Sequence, residues 1–264
     1  LTEKGAMFAT GAGFDVKAFF VSALAKVQTE HSSREIIRQE LEPRLSELIA
    51  KINDIVTTIQ SKEKRQVLVA IDDLDKPPLP QARDIFHGAY SAITQPVCAI
   101  VYTVPVAIFF SKEFATIREN CFFLPNVKLH PKGEAKERDS TGYATMQSFV
   151  HARMEESLIG SEALQAAVDL SGGVFREMAF VMQLTTSHAI ERGVNRIEVV
   201  DVERAESRIR SDFRRILTDE DYKLLKEVRT SNEMRSVDKL ADLLHTLAVL
   251  EYTNDENWCD VHPS

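Results

Sequence analysis

Only three cysteines, Cys98, Cys121 and Cys259, occur in 264 residues. They are far apart and odd in number, so they build neither a disulfide framework nor a zinc-ligand spacing, and a reducing, cytoplasmic setting is the expectation. Long apolar runs are missing as well. The longest, Val97 to Phe110 (VCAIVYTVPVAIFF), contains Pro105 and is too short to span a bilayer, and no signal peptide opens the chain. Nor is there an excess of positive charge. Lys and Arg number 32 against 40 Asp and Glu, a net of −8, which argues against a protein whose main task is coating nucleic acid. No internal repeat or low-complexity tract appears. The first residue is Leu1 rather than Met, so a piece of a longer polypeptide is expected.

What is present is an ordinary globular composition, 44% hydrophobic and 27% charged, long enough for one large domain or two to three small ones. Ala6–Thr10 reads as a short strand, and FDVKAFFVSALAKV, with Asp15 as N-cap, as a helix. Apolar residues at helical spacing continue from Ser33 to about Gln60, with Pro43 imposing a kink or a break. Val67–Ile71 is a continuous apolar run, the mark of a strand buried on both faces of a parallel sheet. A helix is expected near Leu79–Ile93, a second buried strand at Val97–Tyr102, a short helix near Ser111–Glu119 and a third strand at Val127–His130. This alternation points to an α/β layer. Past the polar stretch Pro131–Gly142, four helical patterns follow: Tyr143–Leu158, Glu162–Leu170, Val174–Glu191 and Asp201–Arg215. Two more helices, Asp219–Arg229 and Val237–Leu247, precede two β-prone runs around an Asn-Asp-Glu-Asn turn.

Chemistry concentrates in RQVLVAIDDLDK, Arg65 to Lys76, where a run of β-formers delivers Asp72, Asp73 and Asp75 onto a turn. Open α/β sheets bind ligands at the carboxyl ends of their strands. There the first acid can hold Mg²⁺ directly or through water, and the second can orient an attacking water. The plainer alternative is that turns favour Asp. Thr103 ends the second strand, either as a polar residue beside the first acid or simply as the last residue before the Val104-Pro105 turn. In Ser171-Gly-Gly-Val-Phe-Arg-Glu177, Arg176 stands in the first turn of a helix, where a cation is unfavourable unless an anion compensates it. A phosphate would do so, as would Glu177 or another surface acid.

The order IDDLDK, a strand ending VYT, SGGVFRE opening a helix, then helices and a hairpin closing on WCDVHP resembles an AAA+ ATPase, and more narrowly the STAND and KAP-type branch of P-loop ATPases. The similarity covers nearly the whole chain in order. It implies an α/β fold: a partial parallel-sheet P-loop NTPase core over residues 1–142, an all-α lid over 143–215 and a partial winged helix over 216–264. It further implies a nucleotide-switch ATPase with ATP and Mg²⁺ as cofactors, Asp72 as the Walker B metal residue, Asp73 as the catalytic acid, and Thr103 and Arg176 as the two nucleotide sensors.

One part is absent: no G-x-x-x-x-G-K-[ST] occurs anywhere, and Gly5–Gly13 (GAMFATGAG) lacks the lysine and hydroxyl that reach phosphate and Mg²⁺. The loop is expected upstream of Leu1, or never to have existed, and this chain is expected to bind ATP weakly. Two other readings stay open, a DNA-associated AAA+ ATPase and a non-catalytic interaction scaffold. From Glu203 to Ser264 ten Lys and Arg face fourteen Asp and Glu, a net of −4, poor for DNA. The expected partners are further copies of the chain or an effector domain in the same polypeptide, with no membrane. Arg118 and Arg138 are the arginine-finger candidates, and no context singles out either.

Overall fold

A computed structural model describes residues 44–264 apart from 111–114, 116, 134–136, 233–236 and 254–255. The strand at Ala6–Thr10, the helix capped by Asp15, the Pro43 kink and the Gly5–Gly13 stretch lie outside the described residues. Among the described residues the architecture is mixed α/β, mostly helical, with two small sheets. In order come α1 (Leu45–Glu63), β1 (Leu68–Ile71), α2 (Leu79–Arg83), a π-type turn (Asp84–Gly88), α3 (Tyr90–Ile93), β2 (Ala99–Tyr102) and 3₁₀ turns at Val106–Phe110 and Arg118–Asn120. Then follow α4 (Ser140–His151), α5 (Ser161–Ser171), α6 (Phe175–Glu191), α7 (Val199–Ile216), α8 (Asp219–Ser231), α9 (Val237–His245), β3 (Val249–Thr253) and β4 (Asn257–Val261). Among the described residues no helix is long and apolar enough to cross a membrane.

The chain divides into two compact units. The first holds the described residues through Ala70 together with Ala89–Val101, and the second holds Ile71–Gly88 and Tyr102–Ser264. In the first, α1 buries Ile49 and Val56 and ends on Lys64 in the left-handed region (φ 53°), whose N–H donates to the Gln60 carbonyl. Asn53 of α1 accepts from the Val97 N–H, fixing the start of the second apolar run. The Ala99 N–H donates to the Val67 carbonyl and the Thr103 N–H to the Ile71 carbonyl. Both bonds span the same sequence offset, so β1 and β2 run parallel.

Both strands depart from the expectation of burial on two faces. Leu68 is 67% exposed and Val101 57%. A sheet of two strands has only what packs on it to cover its apolar faces, so composition alone does not bury it. The expected helix at Leu79–Ile93 is broken into α2, the π-type turn and α3.

The second unit carries the larger core. Met146, Val168, Met178 and Val181, all fully buried, knit α4, α5 and α6, and Val202 and Ile209 bring in α7. The start of α7 is fixed by a capping box in which Asp201 receives the Glu198 N–H. Asp201, itself fully buried, also takes two 2.8 Å hydrogen bonds from Arg192. A second capping box, Thr218 with Asp221, starts α8.

The expected strand at Val127–His130 is absent; no ladder forms there. The segment is extended, and its bonds go elsewhere: the Val127 N–H donates to the Gly173 carbonyl and the Leu129 carbonyl accepts from Asp139 N–H. A Cβ on Gly142 or on Gly173 would overlap a carbonyl of this segment, so both glycines allow the backbone to pass.

The antiparallel hairpin β3–β4 pairs Val249 with Val261, Glu251 with Cys259 and Tyr252 with Trp258. Strand alternation sorts these side chains onto two faces. Val249 and Cys259 join Leu225, Val228, Leu240 and Leu244 of α8 and α9. Leu250, Tyr252 and Trp258 join Val174 at the start of α6, and the Tyr252 hydroxyl donates to the Gly172 carbonyl at 2.6 Å.

Candidate functional site

β1 ends at Ile71, and the chain turns at once. Asp73 sits in the left-handed region (φ 68°), and its N–H donates to the Asp72 carboxylate at 2.8 Å. The turn closes through Lys76 N–H to the Asp73 carbonyl. Leu74 N–H donates to the Thr103 hydroxyl oxygen at 3.0 Å, so the residue after β2 fastens the acidic turn after β1. The parallel pairing explains why these two ends, the Asp72-Asp73 turn and Thr103, lie side by side.

The turn gathers negative charge. One carboxylate oxygen each from Asp72, Asp73 and Asp75 lies within 4.8 Å of the others. Lys76 answers part of it, with Nζ 2.6 Å from Asp73, and the hydrogen bond it donates to Asp73 raises the lysine above its ordinary value. Three hard oxygen donors at this spacing suit an oxygen-preferring divalent cation, with Lys76 competing for one of them.

Arg176 reaches the turn from the first turn of α6. Its Nη1 lies 3.8 Å from Asp75, another surface acid, 101 positions earlier in the chain, and its charge also acts on Glu177. The pair is partly exposed, 56% for Arg176 and 34% for Asp75, and worth roughly 0–1 kcal/mol at such a site. Glu177 turns the other way, to within 3.8 Å of the His262 imidazole, and burial raises its carboxyl.

A cavity of about 140 Å³ opens beside the Arg176–Asp75 pair, walled by Pro105, Phe123, Asn126 and Leu247. That is below the range of roughly 300–1,000 Å³ typical of small-molecule pockets. Its volume suits a ring or a phosphate group rather than a whole nucleotide.

Asp75 and Lys76 are the members of this cluster that sequence reasoning left without a role. The i,i+3 spacing of Asp73 and Lys76 was the available signal for one. Nothing local marks Asp75 as the partner of Arg176. Of the arginine-finger candidates, Arg138 is engaged with Asp169 at 3.1 Å and stacks over Tyr143, while Arg118 stands in the 3₁₀ turn Arg118–Asn120. In comparison with known proteins, no family model, no curated protein and no solved structure matches the chain.

Proposed function

We propose that this chain is the switch portion of a nucleotide-dependent ATPase of the AAA+/STAND type. In this reading the two parallel strands belong to a P-loop NTPase core, α4–α7 form its lid, and α8, α9 and the hairpin form a partial winged helix. The observation that carries the reading is the meeting of three separate segments at one strand edge. Asp72 and Asp73 follow β1, Thr103 follows β2 and receives the Leu74 N–H, and Arg176 arrives from the turn that opens α6.

In the proposed mechanism Asp72 would hold Mg²⁺, which would supply charge neutralisation between the acids and the phosphates. Asp73 orients the attacking water once Lys76 lets go of its carboxylate. The Thr103 oxygen is already an acceptor, which leaves its O–H free to donate toward a terminal phosphate. Arg176 exchanges Asp75 for that phosphate, a stronger partner for a guanidinium. Because Val174 packs on Leu250 and Gly172 is bonded to Tyr252, a shift of Arg176 is passed to the hairpin.

The sequence holds no phosphate-cradling loop, so this chain alone is expected to bind MgATP no tighter than roughly millimolar. The test is ATP hydrolysis by the full-length gene product, with Asp73→Asn and Arg176→Ala beside the natural protein. Loss of turnover by about 10²-fold or more in Asp73→Asn is expected. Unchanged turnover in both variants, or micromolar saturable MgATP binding by this chain without any loop, would sink the reading.

A further inference from the structure

The second unit holds another cavity, of about 210 Å³, which shares no residue with the acidic turn. One wall is a face of α7 and its end. Arg210, Phe213, Arg214 and Leu217 follow one another at i, i+3, i+4 and i+7, the spacing that stacks side chains along a helix. Tyr222 and Leu225 of α8 form the facing wall, and Ala248 and Val261 contribute to the floor. The interior is apolar and the cations stand on one side.

Charge makes this cavity unlike its surroundings. In a chain with a net of −8, no Asp or Glu side chain lines it. The arginines of α7 that follow its midpoint are otherwise matched with acids: Arg208 with Asp212 at 3.1 Å, Arg215 with Asp212 at 3.3 Å, and Arg210 with Glu206. Arg214 alone of these has no acidic partner among the described residues, and it is one of the two arginines on the cavity. His262, at the floor, is buried and stays neutral near pH 7, because desolvation pulls its imidazole down to about 4. The charged side chains on its lining are the guanidinium groups of Arg210 and Arg214.

We propose that this cavity is a binding site for a small apolar carboxylate, with Arg214 receiving the carboxylate and Phe213, Leu217 and Leu225 enclosing the hydrophobic body. A cavity of about 150 Å³ lined by aliphatic side chains takes benzene, so this one has room for a ring and a short arm. A guanidinium with no protein acid offers the planar pair of donors that a carboxylate accepts. A neutral ligand makes no such charge-assisted bond.

The experiment titrates the chain with 3-phenylpropionate at pH 7.5 by calorimetry and ligand-observed NMR, with 3-phenylpropanamide as its uncharged counterpart. One saturable site is expected for the acid, with the amide weaker by about tenfold. Arg214→Gln should weaken the acid by a similar factor of about ten and bring acid and amide level, since it removes the charge-assisted bond. Arg215→Gln, one position on and already paired with Asp212, should change neither. The proposal is overturned by absence of saturation at millimolar acid, by equal binding of acid and amide to the natural chain, or by equal losses in the two arginine variants. Unfolding curves of both variants in urea separate a lost contact from a lost fold.

Discussion

Gly173 and Gly193 have almost the same backbone conformation, φ +75° and +73°, in opposite surroundings. Replacing each by alanine therefore isolates what the packing around Gly173 demands. At Gly193 nothing lies within 4 Å of where a Cβ would stand. The cost there is the left-handed conformation, roughly 1–2 kcal/mol, partly offset by roughly 0.4–1 kcal/mol of lost freedom in the unfolded chain. A net of about 1 kcal/mol follows. At Gly173 the same backbone cost applies, but the Cβ would lie well inside the Val127 carbonyl and 3.4 Å from the Leu129 Cγ. Moving that segment breaks the bond from Val127 N–H to the Gly173 carbonyl, worth about 1 kcal/mol. The overpacking adds about 1–3 kcal/mol. Gly173→Ala is expected to destabilise by about 3–5 kcal/mol in all, against about 1 kcal/mol for Gly193→Ala. Urea unfolding followed by circular dichroism reads both as shifts in midpoint at constant slope. Equal midpoints for the two variants would refute the claim that the Val127–His130 segment is locked against this turn.

Other expectations rest on buried charge. Asp201→Ala removes two hydrogen bonds from Arg192, which keeps Glu198, and the cap at the start of α7, and should cost about 1–3 kcal/mol in the same assay. Arg192 also holds Asp201 below the usual carboxylate range, so this stability is present above the unfolded value near 4 and is lost as pH falls through the lower folded value. Glu251 is the opposite case: burial pushes its carboxyl up to about 7, despite the Asn257 amide on one oxygen. The folded chain then binds more protons than the unfolded chain between about pH 4.5 and 7, and stability falls as pH rises through that window. Glu251→Gln keeps the Asn257 contact and removes the titration, so its advantage over the natural chain should grow by about 2–3 kcal/mol from pH 5 to pH 8. A constant difference between those two pH values would count against a buried carboxylate there.

Much of the helical part of this fold is legible in the sequence, because helix signals are local. Apolar spacing and the Ser-Gly-Gly break locate α5 and α6, and the polar turn between two β-prone runs locates the hairpin. The acidic turn is legible for the same reason, since Asp72, Asp73 and Thr103 are each read from the end of their own strand. What fails is what depends on distant neighbours. Val67–Ile71 and Val97–Tyr102 read as buried, but burial is a property of what packs on a strand, and Leu68 and Val101 stay open. Val127–His130 has strand composition, yet its hydrogen bonds go to the Gly173 turn and to Asp139 at the head of α4. Asp75 as the partner of Arg176 could not be found without the fold. Nor could the close passages at Gly142 and Gly173, since glycine in a loop has many uses.

The hairpin β3–β4 has no face of its own to give to water across its middle: Val249 and Cys259 belong to the α8–α9 core, and Leu250, Tyr252 and Trp258 to the start of α6. Such a wall has no local opening that would expose only one of its sides. Amide protons on the two strands should therefore exchange with solvent at the slow pace set by opening of the cores on either side. An event that loosens α6 is felt at once, sixty or more residues later, as a loss of exchange protection in Leu250 and Tyr252. The carboxyl-terminal strands are in this sense a gauge mounted on the arginine-bearing helix, readable one amide at a time.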